Sequence, residues 1–401
     1  MKPNKAAALA VLLGLAACGP ASSGLTLRQE DGSDQPLRGL DAHWGARFLE
    51  GDALFDTPFR ETDGLGPVYI RTSCGGCHEA ATRGPGFVER MVQVDAAGEP
   101  VPGMPALPYG TVVRPFATGG ARPLLAPERA DVRMHQRAGI PVMGRGWLEA
   151  IAERELLRVE AEQARRTDGV SGRVNRVTWS SRANPTSPFH AHQPGDVVIG
   201  RFGLKARQPT LDDFTADALQ GDMGVTSALR PNELPNPDGR TDDAKAGEDV
   251  DAALVNAIAD YVRLIAIPPR KDTGPRGPAL FARANCDACH VPSLRTRADY
   301  PIPQLADADA PVFTDLLLHD MGPSLADGLS DGEATGREWR TAPLIGLRFL
   351  KAFLHDGRAA TLDEAVRQHG AEGSEAKASV DLYLALSEDD RTALVHYLSS
   401  L

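Results

Sequence analysis

Two short cysteine motifs carry the most specific chemistry in the sequence. One spells CGGCH at residues 74–78 and the other CDACH at residues 286–290. A Cys-x-x-Cys-His motif is the attachment signature of haem c, in which the two thiols bond to the haem vinyl groups. The histidine that follows then lies beneath the iron as its proximal ligand. The sequence therefore predicts two covalently bound haem c groups, held by Cys74, Cys77, His78, Cys286, Cys289 and His290.

The cysteine count argues against the competing uses of such pairs. The chain has five cysteines, and Cys18 is the one outside the two motifs. A zinc site needs further cysteine or histidine at close spacing, and neither pair has it. A thioredoxin-like dithiol has no need of a histidine after its second cysteine. No cysteine remains for a structural disulfide, so both pairs are predicted to attach haem.

The N-terminus predicts export and a lipid anchor. Two lysines in the first five residues precede an apolar run at residues 6–13, and small residues lead to Cys18. This order is typical of a signal peptide, which is too short to span a bilayer. Small residues before a cysteine resemble the lipobox of bacterial lipoproteins, so we expect removal of residues 1–17 and lipidation of Cys18. In the alternative, Cys18 is incidental to an ordinary signal peptide. Gly19 favours the outer membrane by the same resemblance, which places the protein in the periplasm.

Composition and patterning divide the rest of the chain. The 31 prolines and 40 glycines indicate long ordered loops. A stretch rich in proline and charge at residues 268–275 is predicted to link two domains. We expect a flexible linker over residues 18–40, an N-terminal haem domain with insertions over 41–268, and a C-terminal cytochrome c-like domain over 275–401.

Helical patterns support this division. Residues 250–266 form an amphipathic pattern, and a Pro-initiated turn at 277–285 leads into the second motif. A helix capped by Ser387, with Asp390 at its third position, is predicted to end the chain. A helix before the haem motif and a C-terminal helix packed on it are the plan of small cytochrome domains. The expected fold class is therefore mainly α, with two cytochrome c-like domains, long loops and one haem c in each.

The net charge limits the classes of partner that the protein is expected to bind. Lys and Arg number 43 and Asp and Glu number 54, so the formal charge is 43 − 54 = −11. A chain this acidic is not expected to bind nucleic acid, whereas a basic electron-transfer protein is a plausible partner.

An internal repeat relates the two halves. RQPTLDD at residues 207–213 parallels RAATLDE at residues 358–364. In each copy a threonine, Thr210 or Thr361, is placed to cap a helix with an acidic first turn. Each copy follows one haem motif, so the two segments are predicted to have corresponding positions in the two halves.

Five further segments carry a family resemblance. They are DGLGP at 63–67, GDMG at 221–224, DLLLHDMG at 315–322, RTAPL at 340–344 and LHDGR at 354–358. Together with the haem motifs, they resemble the bacterial di-haem oxidoreductase (putative peroxidase) family, which is distantly related to the di-haem cytochrome c peroxidases. The resemblance covers nearly the whole mature chain.

The resemblance implies different residues opposite the two proximal histidines. His369 stands in the repeat where the di-haem peroxidases place a distal Met, which implies a second axial ligand opposite His290. Ala218 is the aligned residue of the first copy and cannot bind iron. Asp222 matches an acidic residue of the peroxidatic pocket and is the catalytic candidate. Met223 is an alternative iron ligand that would close this site.

Other residues take weaker roles from the resemblance. His355 and Arg358 match a segment that lies beside the haem and contacts its propionates, so they are expected to position haem. His319 and Met321 are alternative ligands, and Met321 is equally well explained as a core residue. Phe214 stands where the family usually has Gln, which puts the first distal site in doubt. The relatives place a calcium ion between their domains, and no spacing in this sequence identifies one.

The expected function is a peroxidase-like reaction. Electrons would pass from the C-terminal haem to the N-terminal haem, where peroxide or another small oxidant is reduced. The expected electron donor is a small protein of the cytochrome or cupredoxin type. The alternatives are a periplasmic electron carrier with both irons six-coordinate, and an oxidase of a protein or metal-bound substrate. A thiol oxidoreductase is disfavoured because haem attachment consumes both cysteine pairs.

Overall fold

The protein is described here by a computed structural model. It describes residues 34–78, 86–101, 107–240, 245 and 247–401. The predicted signal peptide and the predicted lipid attachment at Cys18 lie outside the described residues. Within these ranges, no helix combines the length and the apolar character needed to cross a membrane.

Nine α-helices are present in the described part of the chain. The amphipathic pattern at residues 250–266 forms helix α5, and the predicted C-terminal helix is α9, where the Ser387 hydroxyl accepts a hydrogen bond from the amide of Asp390 at 3.2 Å. The helices are α1 Ala42–Asp56, α2 Arg145–Ala150, α3 Glu153–Gln163, α4 Leu211–Ala218, α5 Ala252–Leu264, α6 Arg276–Arg283, α7 Leu362–Gln368, α8 Lys377–Leu384 and α9 Glu388–Ser400.

Short strands lie between the helices and pair in twos, always antiparallel, throughout the described ranges. The pairs are β1 with β3, β2 with β4, β5 with β6, β7 with β8, and β9 with β10. The strands are β1 Val68–Tyr69, β2 Phe87–Gln93, β3 Phe116–Ala117, β4 Val132–Ala138, β5 Arg176–Thr178, β6 Val197–Ile199, β7 Leu294–Arg295, β8 Asp309–Ala310, β9 Leu318–Asp320 and β10 Glu338–Arg340.

The expectation of a mainly α fold is wrong. Helix accounts for 31% and strand for 15% of the described residues, so the fold is mixed α/β with small sheets. The longest pair explains why helical periodicity did not reveal this. In β2 and β4, Phe87 pairs with Ala138 and Gln93 with Val132, so each strand is completed by residues far along the chain. Helical periodicity arises within one segment, whereas strand pairing depends on a distant partner.

Three apolar clusters form most of the core. The largest joins α1, α2, α3 and α5 to segments that follow the predicted linker, including Tyr300 and Ile302. A second cluster packs α6 against α9 around Phe281, Tyr383 and Tyr397. A third lies around Met223. The largest cluster thus draws side chains from both sides of residues 268–275.

The two copies of the sequence repeat begin their helices in the same way. Thr210 has φ −132° and ψ 160°, and Thr361 has φ −131° and ψ 158°. Each hydroxyl accepts a hydrogen bond from the amide three residues later, at 3.3 Å from Asp213 and 3.1 Å from Glu364. A threonine cap of this kind satisfies an otherwise unpaired amide of the first turn. The repeat therefore sets the start of both α4 and α7.

Candidate functional site

The first haem motif lies in a tight turn that directs its histidine inward. The amides of Cys77 and His78 both donate to the carbonyl of Cys74, at 3.0 and 2.9 Å. The Nδ1 atom of His78 donates to the carbonyl of Ile140 at 3.0 Å. That hydrogen bond sets the tautomer and leaves Nε2 as the nitrogen able to bind a metal.

A cavity of ≈ 340 Å³ opens beside this motif. Its lining includes Cys74, Cys77 and His78, together with Ala218 and Asp222 from the end of α4 and the turn that follows. The volume is in the range of pockets that hold small molecules. The sequence placed these residues on opposite sides of one haem, and the structure brings them to one cavity.

A π-helical turn, Leu219–Met223, presents Asp222 to the cavity. Single π-turns inside helices occur often at functional sites. The carbonyl oxygens of the turn are held from outside: that of Asp222 accepts from the amide of Ile70 at 2.6 Å, and that of Met223 accepts from Gly66 at 3.0 Å. These contacts fix the backbone from which the Asp222 carboxyl projects.

Gly224 ends this turn at a position that only glycine fits. Its φ is +71°, and a Cβ there would lie 2.3 Å from the carbonyl oxygen of Gly66. The neighbouring Met223 packs in the third apolar cluster and also contributes to the cavity wall.

The Asp222 carboxyl lies in an environment that raises its pKa above the value of a carboxyl in water. Burial, and next the charge of Asp217, raises the pKa of Asp222 to about 6, while Arg90 is the strongest of the charges acting in the opposite direction. A carboxyl with such a pKa can accept and release a proton near neutral pH.

Six arginines line the cavity among the described residues. They are Arg71, Arg90, Arg114, Arg137, Arg145 and Arg207. Guanidinium groups bind carboxylates and other anions through paired N–H donors, so the cavity favours anionic groups. Arg207 begins the first copy of the sequence repeat, but sequence motifs did not single out the other five, because several of them lie on strands or loops whose partners are distant in the chain.

The histidine of the second haem motif is oriented in the same way, by a hydrogen bond from Nδ1 to a backbone carbonyl. His290 Nδ1 donates to the carbonyl of Phe313 at 3.2 Å. Phe313 has a φ of +49° and Asn285, just before the motif, a φ of +55°. Non-glycine residues in this region of backbone space are uncommon and cluster at functional sites.

His369 lies at the end of α7, and its Nδ1 donates to the carbonyl of Ala365 at 2.6 Å. Burial, followed by the charge of His369, lowers the pKa of His290 to about 4. Burial also lowers the pKa of His369. The structure therefore places two partly buried imidazoles near enough for their charges to interact, and each donates Nδ1–H to a backbone carbonyl.

These residues fit the haem c groups that the motifs imply. The four motif cysteines are free thiols. His78, His290 and His369 each donate through Nδ1, so in the neutral ring the lone pair that a metal ligand needs is on Nε2. Cys286 packs against the apolar cluster of α6 and α9, which supplies nonpolar walls for a macrocycle.

The residues expected to position haem have identifiable contacts. The His355 ring stacks on Trp339 with 3.9 Å between ring centroids, and Lys205 Nζ lies 4.0 Å from the Trp339 centroid. Burial lowers the pKa of His355 to about 4. Arg358 donates to the Asp356 carboxylate at 2.5 Å and is half exposed. The role of both residues toward haem stays a prediction.

His319 is engaged at both ring nitrogens. Nδ1 donates to Glu375 at 2.8 Å and Nε2 donates to Asp315 at 3.0 Å. Burial alone would lower the pKa of His319, but Cys289 and Asp315 outweigh it and raise the pKa well above its ordinary value. A doubly protonated ring with two carboxylate partners has no lone pair for iron in this arrangement.

Cys289, Asp315 and His319 place potential ligand atoms within 4.8 Å of one another among the described residues. Haem attachment would consume the Cys289 thiol. The sequence did not single out Glu375, which becomes a neighbour of His319 only through the pairing of distant segments.

A comparison with known protein families identifies the family of the chain. The family model described as "Di-haem oxidoreductase, putative peroxidase" matches residues 125–401. This chain belongs to that di-haem oxidoreductase family. The matched residues include the second haem motif and His369, whereas the first motif precedes them. No curated protein matches the sequence.

Two solved structures are similar over most of their length. A MauG-like protein associated with microbial copper homeostasis is 15% identical with a TM-score of 0.41, covering 92% of this chain and 91% of its own. A hydrazine synthase of Kuenenia stuttgartiensis is 13% identical with a TM-score of 0.34, covering 99% of this chain and 100% of its own. Both are too distant to assign a function.

Proposed function

We propose that this protein is a periplasmic di-haem c-type peroxidase. In this proposal electrons pass from a donor protein to the haem at Cys286–His290, then to the haem at Cys74–His78, where peroxide is reduced. The family is a di-haem oxidoreductase family. The direction of electron flow and the oxidant go beyond that and are the proposal.

One observation carries the proposal: the groups opposite the two proximal histidines differ. Near His290 lies a second, partly buried imidazole, that of His369, whose charge acts on His290. Beside His78 lies a cavity with Ala218 and Asp222 in its wall. Two imidazoles favour a six-coordinate iron that exchanges electrons, whereas a cavity leaves room for a small oxidant.

The chain's own groups would act on the peroxide. The two haem c groups, when bound, would supply the iron and the two electrons needed to break an O–O bond. Reduction of one H₂O₂ to two H₂O takes two electrons and two protons. Asp222 would take the proton from the inner oxygen and deliver it to the outer one, as a positioned general acid–base group does. Solvent would supply the two protons consumed.

The remaining walls would exclude water and hold the reactants. Phe202 and Phe214 stack with 6.2 Å between centroids and both line the cavity. Such apolar walls strengthen electrostatic interactions within the cavity by lowering the local dielectric.

The proposed surroundings follow from the sequence. The signal-peptide pattern and Cys18 support a periplasmic, lipid-anchored protein at the outer membrane. The net charge of −11 supports a basic electron donor of the cytochrome or cupredoxin type.

The test combines spin state with electron counting. We expect electron paramagnetic resonance of the oxidised protein to show one high-spin and one low-spin ferric haem, or that of the half-reduced protein to show a high-spin ferric signal from the first haem while the second haem is reduced and silent. The fully reduced protein holds two electrons, so one equivalent of H₂O₂ should reoxidise both haems. Only low-spin ferric signals in both states, with no reoxidation by peroxide, would instead identify an electron carrier. A high-spin haem that reacts with peroxide but accepts no electrons from the reduced second haem would also contradict the proposal.

A further inference from the structure

Strand β2 turns Arg90 toward the cavity. Val88 and Arg90 both line it, whereas Phe87 and Glu89 are exposed. Residues two apart on a strand share one face of the sheet. The guanidinium therefore projects from a paired strand rather than from a loop, and its direction is fixed by the β2–β4 sheet.

The other arginines whose charges act on Asp222 are already committed to partners. Arg207 forms an ion pair with Asp217. Arg114 donates through Nε to the carbonyl of Gly221 at 3.0 Å. Both guanidinium groups thus bind other residues of the cavity wall.

Arg90 has no comparable partner among the described residues. Its Nε atom is buried and makes no hydrogen bond there. Nη1 contacts only the Thr111 hydroxyl, at a long 3.4 Å, within those same residues. Burial lowers the pKa of Arg90 to about 10, so the group stays charged at neutral pH. A partly buried cation with a buried and unsatisfied Nε atom is costly, and such a group in a cavity points to a ligand that supplies the missing acceptor.

We propose that Arg90 binds the small oxidant in this cavity, donating hydrogen bonds to a peroxide or a small anion beside Asp222. The Phe202–Phe214 wall offers no side-chain donors. Of the three arginines whose charges act on Asp222, Arg90 is the one whose guanidinium has no ion-pair or carbonyl partner among the described residues. The identity of the oxidant rests on the proposed function, whereas the binding of an anion at Arg90 does not.

The chemistry of peroxide reduction suits a guanidinium. Breaking the O–O bond takes two electrons, which the haems would supply, and the outer oxygen gains negative charge. That oxygen takes the proton held by Asp222 and leaves as water, and solvent protons convert the inner oxygen to the second water. A fixed cation stabilises charge that develops in this way.

The experiment uses fluoride as the probe, because it accepts hydrogen bonds and binds an open ferric haem. Oxidised holoprotein is titrated with sodium fluoride and followed by absorption spectra. We expect Arg90→Gln to raise the Kd at least about 10-fold, as loss of a hydrogen bond to a charged group predicts. Arg90→Lys keeps the charge without the planar donors and should give an intermediate Kd.

The matched control is Arg133→Gln. Arg133 is exposed on the partner strand β4, and the variant makes the same change of charge. Its Kd should stay within about twofold of the wild type, well below a tenfold step.

Three outcomes would overturn the assignment. They are an unchanged fluoride Kd in both Arg90 variants, no fluoride binding by the wild type, and loss of the first haem on haem-stained gels of both variants. The last result would make Arg90 a haem-holding residue. Peroxide turnover is not used, so Arg90-dependent fluoride binding in a protein that does not reduce peroxide would contradict the proposed function alone.

Discussion

Three histidines at the two sites share one arrangement at the scale of the single residue. His78, His290 and His369 each donate Nδ1–H to a backbone carbonyl, at 3.0, 3.2 and 2.6 Å. A carbonyl only accepts, so these contacts define the tautomer without reference to a metal. His319 differs because both of its ring nitrogens donate hydrogen bonds to carboxylates. The sequence motifs identified the first two histidines, and the repeat identified the third.

The catalytic assignment of Asp222 can be tested by removing its ability to transfer a proton. Asp222→Asn is nearly isosteric, so the cavity should keep its shape. We expect steady-state peroxide turnover to fall about 100-fold or more, the contribution of a positioned general acid–base group. Absorption and paramagnetic resonance spectra of both haems should not change.

A matched control for this variant is Asp309→Asn. Asp309 lies on β8 with a side chain that is 73% exposed, far from any role in the cavity lining. Its turnover should equal that of the wild type. Equal turnover in Asp222→Asn and Asp309→Asn would remove Asp222 from the mechanism.

At the scale of the element, one repeated helix start leads to two different ends. Helices α4 and α7 both begin after a capping threonine, Thr210 or Thr361. Helix α7 ends at His369, whereas α4 passes through Ala218 into the π-turn that presents Asp222. The sequence predicted the shared start, because capping depends on adjacent residues. It did not predict the π-turn, because contacts with distant residues such as Ile70 hold that turn.

The end of α7 provides a test of ligation. His369→Ala should convert the second haem alone to high spin, because the imidazole that would fill its sixth position is absent. His369→Met should keep that haem low-spin and raise its reduction potential, since His/Met ligation favours the reduced state. His396→Ala, at an exposed site on α9, should change neither spectrum. An unaltered second haem in His369→Ala would show that another group binds that iron.

At the scale of the whole molecule, features that depend on neighbouring residues could be predicted from the sequence, and features that depend on distant pairing could not. The N-cap of α9 and the amphipathic α5 depend on neighbours in the chain, and the structure confirms both predictions. Haem attachment at the two motifs stays a prediction. The sheets and the position of Arg90 depend on strands such as β2 and β4, which meet only in the folded chain. An arginine on an alternating strand also resembles a solvent-exposed residue, so nothing local indicated that it faces a cavity.

Haem attachment at the two motifs can be separated in the whole protein. Cys286→Ser removes one thioether bond, and a haem held by one cysteine is attached less efficiently. We expect haem-stained gels and the haem-to-protein ratio to show loss at the second site with the first site retained. Cys74→Ser should give the reciprocal result. Full haem content in both variants would contradict covalent attachment through these cysteines.

A buried charge network joins elements on both sides of the predicted linker. Arg263 on α5 donates to Glu149 at 2.6 Å and to Asp212 at 3.2 Å. Tyr300, which follows the second haem motif, donates to Glu149 at 2.7 Å. His190 donates to Asp212 at 2.7 Å, and the Asp212 side chain is fully buried. Each member depends on the others because none is hydrated by bulk water.

Acid should weaken this network, and Asp212→Asn isolates its contribution. Burial would raise the pKa of Asp212, but His190 and Arg263 outweigh it and lower the pKa below its ordinary value. A lowered carboxyl pKa stabilises the fold above the unfolded value of about 4 and loses that effect as the pH falls further.

At pH 7, breaking a buried pair should cost about 3–5 kcal/mol of unfolding free energy. The exposed pair at Asp381 should contribute less than about 1 kcal/mol, so Asp381→Asn is the control. Urea unfolding of the holoprotein at pH 7 and at acid pH measures both. The gap between wild type and Asp212→Asn must narrow as the pH drops below about 4, because the unfolded wild type then binds a proton at Asp212 that the folded protein takes up only at lower pH. A gap that is constant with pH would mean that Asp212 stabilises the fold by packing rather than by its charge.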